Sequence, residues 1–341
     1  MKRHFNLFVI FFCFYGISTF AQQRPQYTQY VFNNYLLNPA VTGIENYTDV
    51  KVGYRSQWTG LQGAPVTSYV TLNTPIGTDF VEGDATQFGS AGGGVNPYSR
   101  SYTQTYMAPA PHHGIGFMVI SDKAGPITQT NIDATYAYHM GLSDHLSLAV
   151  GAAMGLYHAN LDVSQLTFPD SQTDPAVTNG NSSLWKPDAG AGVWMYTSSW
   201  YIGASVQQLI PQTLNFGTTS SQIPGKIVPH FFFTTGVKVF LSDDVTAMPS
   251  VMVKVTNPVP PSFDLNMKLT FKDIFWLGAA YRRNDSYALL TGINISSVIN
   301  VGYSYDITTS NLNTVSNGTH EIVIGVLLNN RYKATCPRYS F

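Results

Sequence analysis

The chain has 341 residues, 11% of them charged, and a formal net charge of −1 at pH 7. Soluble globular domains carry roughly a quarter charged residues, so this composition is unusual for that class. The near-neutral balance gives no support for binding nucleic acid or an anionic surface. Aromatic residues reach 13% of the chain, with 21 tyrosines, which favours a protein with a lipid-facing surface.

The first 21 residues have the features of a signal peptide. Lys2 and Arg3 form its charged start, an apolar stretch follows over 7–17, and Ala21 ends a small-x-small cleavage site. We therefore predict an exported protein that is cleaved after Ala21. The remaining chain contains a single cysteine, Cys336, which excludes an intrachain disulfide framework.

Residues 22–47 differ in pattern from the rest of the chain. Several aromatic and aliphatic residues between 27 and 35 recur at helical spacing, and Asn38-Pro39 provides a stop. The segment fits a short periplasmic helix or, if the following strands close into a barrel, a plug inside its lumen. An irregular leader packed against the rim fits equally well.

From residue 48 onward, apolar and polar residues alternate in many segments. Val52 and Tyr54 point to one side of such a segment while Lys51 and Arg55 point to the other. Successive side chains of a strand lie on opposite faces, so each segment has one apolar and one polar face. The predicted spans are 48–58, 65–76, 113–122, 127–140, 145–158, 188–198, 200–208, 228–241, 245–255, 261–271, 274–283, 286–294, 297–307 and 319–328.

About fourteen strands over 48–328 predict an all-β fold, a transmembrane antiparallel β-barrel. No segment after the signal peptide offers the roughly 20 apolar residues of a membrane helix. A closed barrel is the other structure whose backbone groups are all paired in lipid. A secreted β-sandwich would also alternate, but low charge and aromatic residues near segment ends favour the barrel. Its expected place is the outer membrane.

The connections give an independent indication of sidedness. Outer-membrane barrels have short periplasmic turns and longer external loops. The predicted loops 159–187, 209–227 and 308–318 are long and polar, and the connections between them are short. The exception is 77–112, a Gly-rich insertion that parity places on the periplasmic side. Residues 329–341 follow the last strand and form a predicted periplasmic tail.

Inward-facing charges of both signs are the candidate lumen residues. They either line a pore or pair with one another across a filled lumen, and we favour pairing. These residues are Lys51, Arg55, Lys238, Lys254, Asp264, Lys268 and Asp306.

Candidate partner-binding residues are apolar and aromatic side chains in the largest predicted outer loop and in the tail. Exposed aromatic residues are typical interface anchors. The loop set is Leu166, Phe168, Leu184 and Trp185, and the tail set is Arg338, Tyr339 and Phe341.

Residues for catalysis, cofactor binding or metal binding are not predicted. His112 and His113 are adjacent, so they cannot both face one site on a strand, and no histidine spacing resembles a metal site. No nucleophile-elbow motif or phosphate-binding loop is present. A lipid-modifying enzyme would need a reactive serine or a metal and is the weakest alternative.

Specific segments then resemble the PorP/SprF family of the type IX secretion system. The resemblance rests on their order and spacing along nearly the whole chain after the signal peptide, with the 77–112 insertion as a departure. The segments are Pro25-Gln26-Tyr27-Thr28-Gln29-Tyr30, Asn38-Pro39-Ala40, Tyr54-Arg55-Ser56-Gln57-Trp58-Thr59-Gly60, Asp122-Lys123-Ala124-Gly125-Pro126, Phe275-Trp276-Leu277-Gly278-Ala279, Gly302-Tyr303-Ser304-Tyr305-Asp306, Gly318-Thr319-His320-Glu321 and Cys336-Pro337-Arg338-Tyr339.

This resemblance implies an outer-membrane component or accessory of type IX secretion. Such a protein supports export or surface attachment of a specific large adhesin with a C-terminal sorting domain, often in gliding motility. Its expected partners are that adhesin, other type IX secretion subunits and outer-membrane lipid, without nucleic acid or a cofactor. The alternative function is an outer-membrane diffusion or uptake channel.

Overall fold

The fold is taken from a computed structural model, which describes residues 24–77, 106–166, 182–216, 225–242, 244–272 and 274–330. The predicted signal peptide, most of the 77–112 insertion and most of the tail lie outside these residues. No helix in the described part is long and apolar enough to cross a membrane.

Seventeen strands make up almost all regular structure of the described residues. They are β1 Thr48–Ser56, β2 Val66–Ile76, β3 His112–Ala124, β4 Ile127–Ser143, β5 Leu146–Leu161, β6 Ser183–Tyr196, β7 Trp200–Gln207, β8 Gln212–Leu214, β9 Gly225–Ile227, β10 His230–Val237, β11 Val239–Phe240, β12 Val245–Thr256, β13 Val259–Phe271, β14 Phe275–Arg282, β15 Ser286–Asn294, β16 Ile299–Thr308 and β17 Thr319–Leu328.

Fourteen wall strands close into an antiparallel barrel. In this count, β10 and its short continuation β11 form one wall strand. Each wall strand pairs with its neighbours in sequence, and β10 pairs directly with β12. The circle closes where β1 pairs with β17, with Arg55 opposite Glu321. Only β8 and β9 stand apart, as a separate hairpin. The predicted fourteen-stranded barrel is confirmed.

The wall separates side chains as the alternation predicts. On β13, Leu265 is 50% exposed on the outside while its neighbour Asn266 is 8% exposed on the inside. The same alternation on β1 exposes Val52 and Tyr54 and buries Lys51. Because the outer face is apolar all around the barrel, it is suited to lipid.

The two ends of the barrel carry different connections. We call the end at which β1 finishes the loop end and the opposite end the turn end. Loop-end connections 57–65, 162–182, 208–229 and 309–318 are long, while 125–126, 257–258 and 283–285 are tight. Turn-end connections span two to four residues, apart from the one between β2 and β3. By the convention for outer-membrane barrels, the loop end faces the exterior.

The 77–112 insertion lies at the turn end. Antiparallel pairing of β2 with β3 places both of its ends there. Its last residues pack on the adjacent turn, because the Ala108 N–H donates to Asp144 O at 2.7 Å and His145 Nδ1 contacts Tyr106 O at 2.7 Å. The parity of the predicted strands is therefore intact. Residues 78–105 lie outside the described part.

One predicted loop was too long, and another contains regular structure. The 159–187 loop is shorter, because β5 and β6 extend past the predicted ends and Asn160 still pairs with Ser183. Leu184 and Trp185 consequently lie within β6 rather than in a loop. The predicted loop 209–227 contains the β8–β9 hairpin.

Residues 24–47 occupy the lumen, and we call them the plug. The Arg24 N–H contacts Nε2 of His230 at the loop end at 3.4 Å, and the chain then descends to the turn end, where β1 begins. Leu36, Ala40 and Ile44 are almost fully buried inside the barrel. The core of the protein is therefore the contact between plug and wall.

The plug is a series of three short 3-10 turns, over Gln29–Val31, Asn34–Leu36 and Pro39–Val41, rather than the continuous helix that the spacing suggested. The backbone leaves the helical region at Asn33 and is extended at Asn38. A proline at 39 disfavours helical geometry in the residue before it, which explains the second break.

Candidate functional site: the plugged lumen and its outer mouth

A buried charge cluster near the loop end fixes the start of the plug. Arg55 on β1 pairs with Asp306 on β16 at 2.8 Å and with Glu321 on β17 at 3.0 Å. Thr28 of the plug completes the cluster: its Oγ1 donates to Asp306 at 2.6 Å and its N–H donates to Glu321 at 2.8 Å. One arginine and two carboxylates from three strands thus hold a single plug residue.

A second cluster lies beside the first, around Arg282 on β14. Its Nε donates to Asp264 at 3.0 Å and its Nη1 donates to Asp285 at 3.1 Å. The same guanidinium reaches the plug through Gln26 Oε1 at 3.3 Å and the carbonyl of Tyr27 at 3.4 Å. The outer half of the plug is therefore held by two neighbouring charge clusters.

The inner half of the plug is held by neutral hydrogen bonds. Asn38 Oδ1 accepts from Ala40 N at 2.9 Å, while its Nδ2 donates to Val193 O on β6 at 3.0 Å. On β7, Ser205 Oγ donates to Leu37 O at 2.6 Å. Such paired groups satisfy plug backbone that would be costly to bury alone.

Two histidines support the plug near the turn end. The rings of His112 and His139 stack with centroids 4.5 Å apart. Each faces a plug carbonyl, with His112 Nε2 at 3.2 Å from Gly43 O and His139 Nε2 at 2.8 Å from Thr42 O. His113 points the other way and contacts Tyr136 Oη at 2.6 Å. In the described residues, no group of three or more potential ligands could hold a metal ion.

Two wall glycines give the plug backbone room. A Cβ on Gly114 would lie 2.1 Å from the carbonyl oxygen of Thr42, and one on Gly151 would lie 2.5 Å from the backbone of Pro39. Real Cβ atoms do not approach so closely, so a side chain at either position requires the plug to move. The wall is shaped to this particular plug.

Small cavities lie between the plug and the wall of the described residues. Two cavities along the lumen, one beside Asp133 and one beside Asp264, have volumes of about 20 Å³ each. Each is large enough for about one water molecule. A larger cavity lies at the loop end.

That larger cavity, the outer mouth cavity, has a volume of about 250 Å³. It lies where β12, β13 and β14 reach the loop end and touches the start of the plug at Gln26. Its other lining residues are mainly cationic or polar: Lys254, Thr256, Val259, Pro260, Ser262, Arg282, Arg283, Asn284 and Asp285.

The predicted lumen residues all belong to the inner side of the wall. The sequence pattern did not identify four further charged or polar members of these clusters, namely Thr28, Asp49, Arg282 and Glu321. Six of the predicted residues are buried, namely Lys51, Arg55, Lys238, Asp264, Lys268 and Asp306. Lys254 is half-buried and lines the outer mouth cavity. Lys51 pairs with Asp49 on its own strand.

The predicted partner-binding residues do not form one surface. Leu184 packs inward on a small cluster that includes Tyr157 and Leu214 under the β8–β9 hairpin. Trp185 points outward, is 56% exposed and stacks on His158 at 4.2 Å. Phe168 and the tail residues Arg338, Tyr339 and Phe341 lie outside the described residues.

Leu166 follows a short turn that begins the long loop after β5. Asp162 Oδ1 accepts from Ser164 Oγ at 2.6 Å and Oδ2 accepts from Gln165 Nε2 at 2.6 Å. These hydrogen bonds lower the pKa of the Asp162 carboxyl. The loop therefore leaves the barrel through an ordered, negatively charged turn, with Leu166 half-buried at its end.

A closed barrel with an apolar outer face and a polar interior defines an integral outer-membrane protein. The family model for the type IX secretion system membrane protein PorP/SprF matches residues 19–326. The chain belongs to the PorP/SprF family. Family and barrel together point to a secretion or transport component of the outer membrane.

Other comparisons give distant structural neighbours. The toluene transporter TbuX of Ralstonia pickettii is similar at a TM-score of 0.49 and 11% identity, covering 86% of this chain and 92% of that one. A FadL homologue of Pseudomonas aeruginosa matches at 0.45 and 11%, covering 89% and 94%. The toluene transporter TodX of Pseudomonas putida matches at 0.42 and 8%, covering 90% and 94%. No protein of curated function matches the sequence.

Proposed function

We propose that this barrel supports the export or surface attachment of a specific large adhesin with a C-terminal sorting domain. It does so by protein–protein contact in the outer membrane, as a component or accessory of type IX secretion. The observation that carries the proposal is the plug, which lies in the lumen and is bonded to strands on different parts of the wall, β17, β6 and β7 among them.

The plug argues against the alternative of a diffusion or uptake channel. Opening the lumen would separate Thr28 from Asp306 and Glu321 and would expose the buried backbone of residues 36–44. The ion pairs of Arg55 within the wall would remain, but each hydrogen bond that Thr28 donates to a carboxylate contributes about 1.5–3 kcal/mol. These contacts favour a closed lumen over solute passage in the resting state.

The exterior contact is assigned to the loop end. We place the adhesin's C-terminal domain on the outer loops, with Trp185, Leu166 and Phe168 as contact residues and Leu184 as an internal support of the β8–β9 hairpin. Trp185→Ala should lower adhesin display, since a half-exposed tryptophan is a typical anchor. Outward Tyr287→Ala, on a strand remote from that loop, is the matched control.

The periplasmic contact is assigned to the tail. We propose that Arg338, Tyr339 and Phe341 contact another type IX secretion subunit or the barrel-insertion machinery. Deleting residues 334–341 should lower adhesin display in the first case and barrel abundance in the second. Unchanged display together with unchanged abundance would remove the tail from the proposal.

The proposal is tested by deleting the gene and cataloguing surface proteins. We expect one or a few large adhesins to disappear while most exported proteins still reach the surface. Gliding should weaken wherever it depends on the lost adhesin. A deletion strain with normal surface proteins but altered uptake of small solutes would contradict the proposal and favour the channel.

A further inference from the structure

The outer mouth cavity differs from the rest of the lumen because its charges are not balanced by neighbours. Lys254, Arg282 and Arg283 line it, and Asp285 is the one carboxylate among the described lining residues. The nearest deeper carboxylate, Asp264, is held by Arg282 at 3.0 Å. Even with both carboxylates counted, one positive charge remains in excess.

Lys254 carries that excess. Asp264 and Asp285 are both engaged by Arg282. Among the described residues, no hydrogen bond or ion pair engages the Nζ of Lys254, although the residue is half-buried. A half-buried ammonium without a direct partner can donate charged hydrogen bonds to an incoming anion, which would be stabilised there.

Further donors surround the lysine. Thr256 Oγ1 is buried and has no hydrogen-bond partner within the described part of the chain. Ser262 and Asn284 also line the cavity. The register of β12 against β13 shifts between Lys254 and Thr256, and such bulges at barrel rims re-aim side chains. The shift thus lies between two residues that line the cavity, a lysine without a direct partner and a threonine with an unpaired hydroxyl.

We propose that the outer mouth cavity is a binding site for a peptide carboxylate. A volume of about 250 Å³ admits an acidic side chain or a chain terminus, well beyond the space that one water needs. A singly charged carboxylate suits the excess of one positive charge. A phosphate with a second negative charge would exceed that balance and would also face Asp285.

This inference rests on the proposed function, since it supplies an attachment point for the exported partner. The carboxylate belongs to a segment of that partner that enters the mouth from the exterior. Gln26, at the start of the plug, lines the same cavity, so an occupant would touch the plug directly.

Binding is tested on the purified full-length barrel in detergent by saturation-transfer NMR with three short peptides of otherwise identical, neutral sequence. One has a free C-terminal carboxylate, one is amidated and contains a single Glu, and one is amidated without any acid. We expect either or both carboxylate peptides to bind, and their comparison identifies a terminus or a side chain as the source. Equal binding of the neutral peptide would overturn the site.

Variants locate the binding. Lys254→Met should weaken carboxylate binding by about tenfold or more, the effect of losing a charged hydrogen bond. Arg283→Met tests the site independently if the first variant fails to fold, which heat-modified gel mobility detects. Lys123→Met removes an exposed lysine at the same end of the barrel on β3 and should have no effect. Unchanged binding in both cavity variants would contradict the assignment.

Three outcomes separate this site from its alternatives. Displacement of the peptide by inorganic phosphate at lower concentration than by acetate would overturn the carboxylate class in favour of a phosphate-bearing ligand. Because the peptides are not the adhesin, loss of adhesins from the deletion strain without peptide binding would refute the cavity alone. Peptide binding with normal adhesin display would refute the proposed function and keep a carboxylate site.

Discussion

The two faces of the barrel wall follow different rules, although they alternate along the same strands. On β1, Tyr54 faces outward and is exposed, whereas Arg55 is 1% exposed and is bonded to two other strands and to the plug. The outer face requires apolar character at the right depth, which many side chains provide. The inner face requires particular partners at particular distances.

This difference explains where specificity resides. Lipid imposes no geometry on an apolar side chain, but each buried polar group needs its partner. The plug provides many of those partners, from Thr28 near the loop end to Thr42 near the turn end. The cost of a substitution should therefore depend on which partner is lost for an inward-facing residue. For an outward-facing residue, it should depend on the depth in the bilayer.

The largest effect is expected at the centre of the charge cluster. Arg55→Met leaves Asp306 and Glu321 buried without their cation and should cost about 3–5 kcal/mol of unfolding free energy. Urea unfolding in detergent micelles measures it. Tyr54→Met, the outward neighbour, should cost far less.

A combined variant sharpens this test. Adding Asp306→Asn and Glu321→Gln to Arg55→Met removes the unpaired charges and should restore much of the lost stability. Equal losses for Arg55→Met and Tyr54→Met, or no recovery in the combined variant, would contradict the difference between the faces.

The next effect concerns depth on the outer face. Leu265 lies near the middle of β13 and Phe271 at its turn-end terminus. Leu265→Arg should cost about 2–4 kcal/mol in lipid vesicles, whereas Phe271→Arg should cost about 0–1. Reversible unfolding in vesicles compares the two. A similar cost at both positions would show that β13 is not placed across the bilayer as its alternation implies.

A smaller effect tests the fit between plug and wall. Gly114→Ala places a methyl group against Thr42 O and should cost about 1–3 kcal/mol by overpacking. Gly141→Ala is the matched control, because the nearest atom to its Cβ would be Ala108 Cβ at 3.6 Å. Thermal stability of the two variants in detergent provides the measurement. A neutral Gly114→Ala would mean that the plug does not press on the wall.

The sequence predicted the wall well because alternation is a local property. Lys51 and Asp264 were placed on the inner face from their immediate neighbours, and the antiparallel barrel followed from the repetition of that pattern. The predicted strand ends were less accurate near Leu184. The pairing of β5 with β6 continues beyond the apolar band, and the polar residues there have the composition of a loop.

The course of the plug and its contacts could not be predicted from local sequence patterns. Thr28 and Glu321 are 293 residues apart in sequence, and no local pattern relates them. Alternation along β17 would have placed Glu321 inward, and that along β14 would have done so for Arg282, but neither pattern identifies a partner. The course of the plug depends on successive short turns that helical spacing cannot distinguish from one helix.

The central claim is that the plug closes the lumen, and single-channel recording in planar bilayers tests it most directly. Thr42 Oγ1 and Thr135 Oγ1 are 3.0 Å apart, so Thr42→Cys with Thr135→Cys in a Cys336→Ser background should form a disulfide that locks the plug to β4. We predict that the intact and the locked barrel are both electrically silent, and that Arg55→Met shows openings. A steady conductance through the locked barrel would contradict the account.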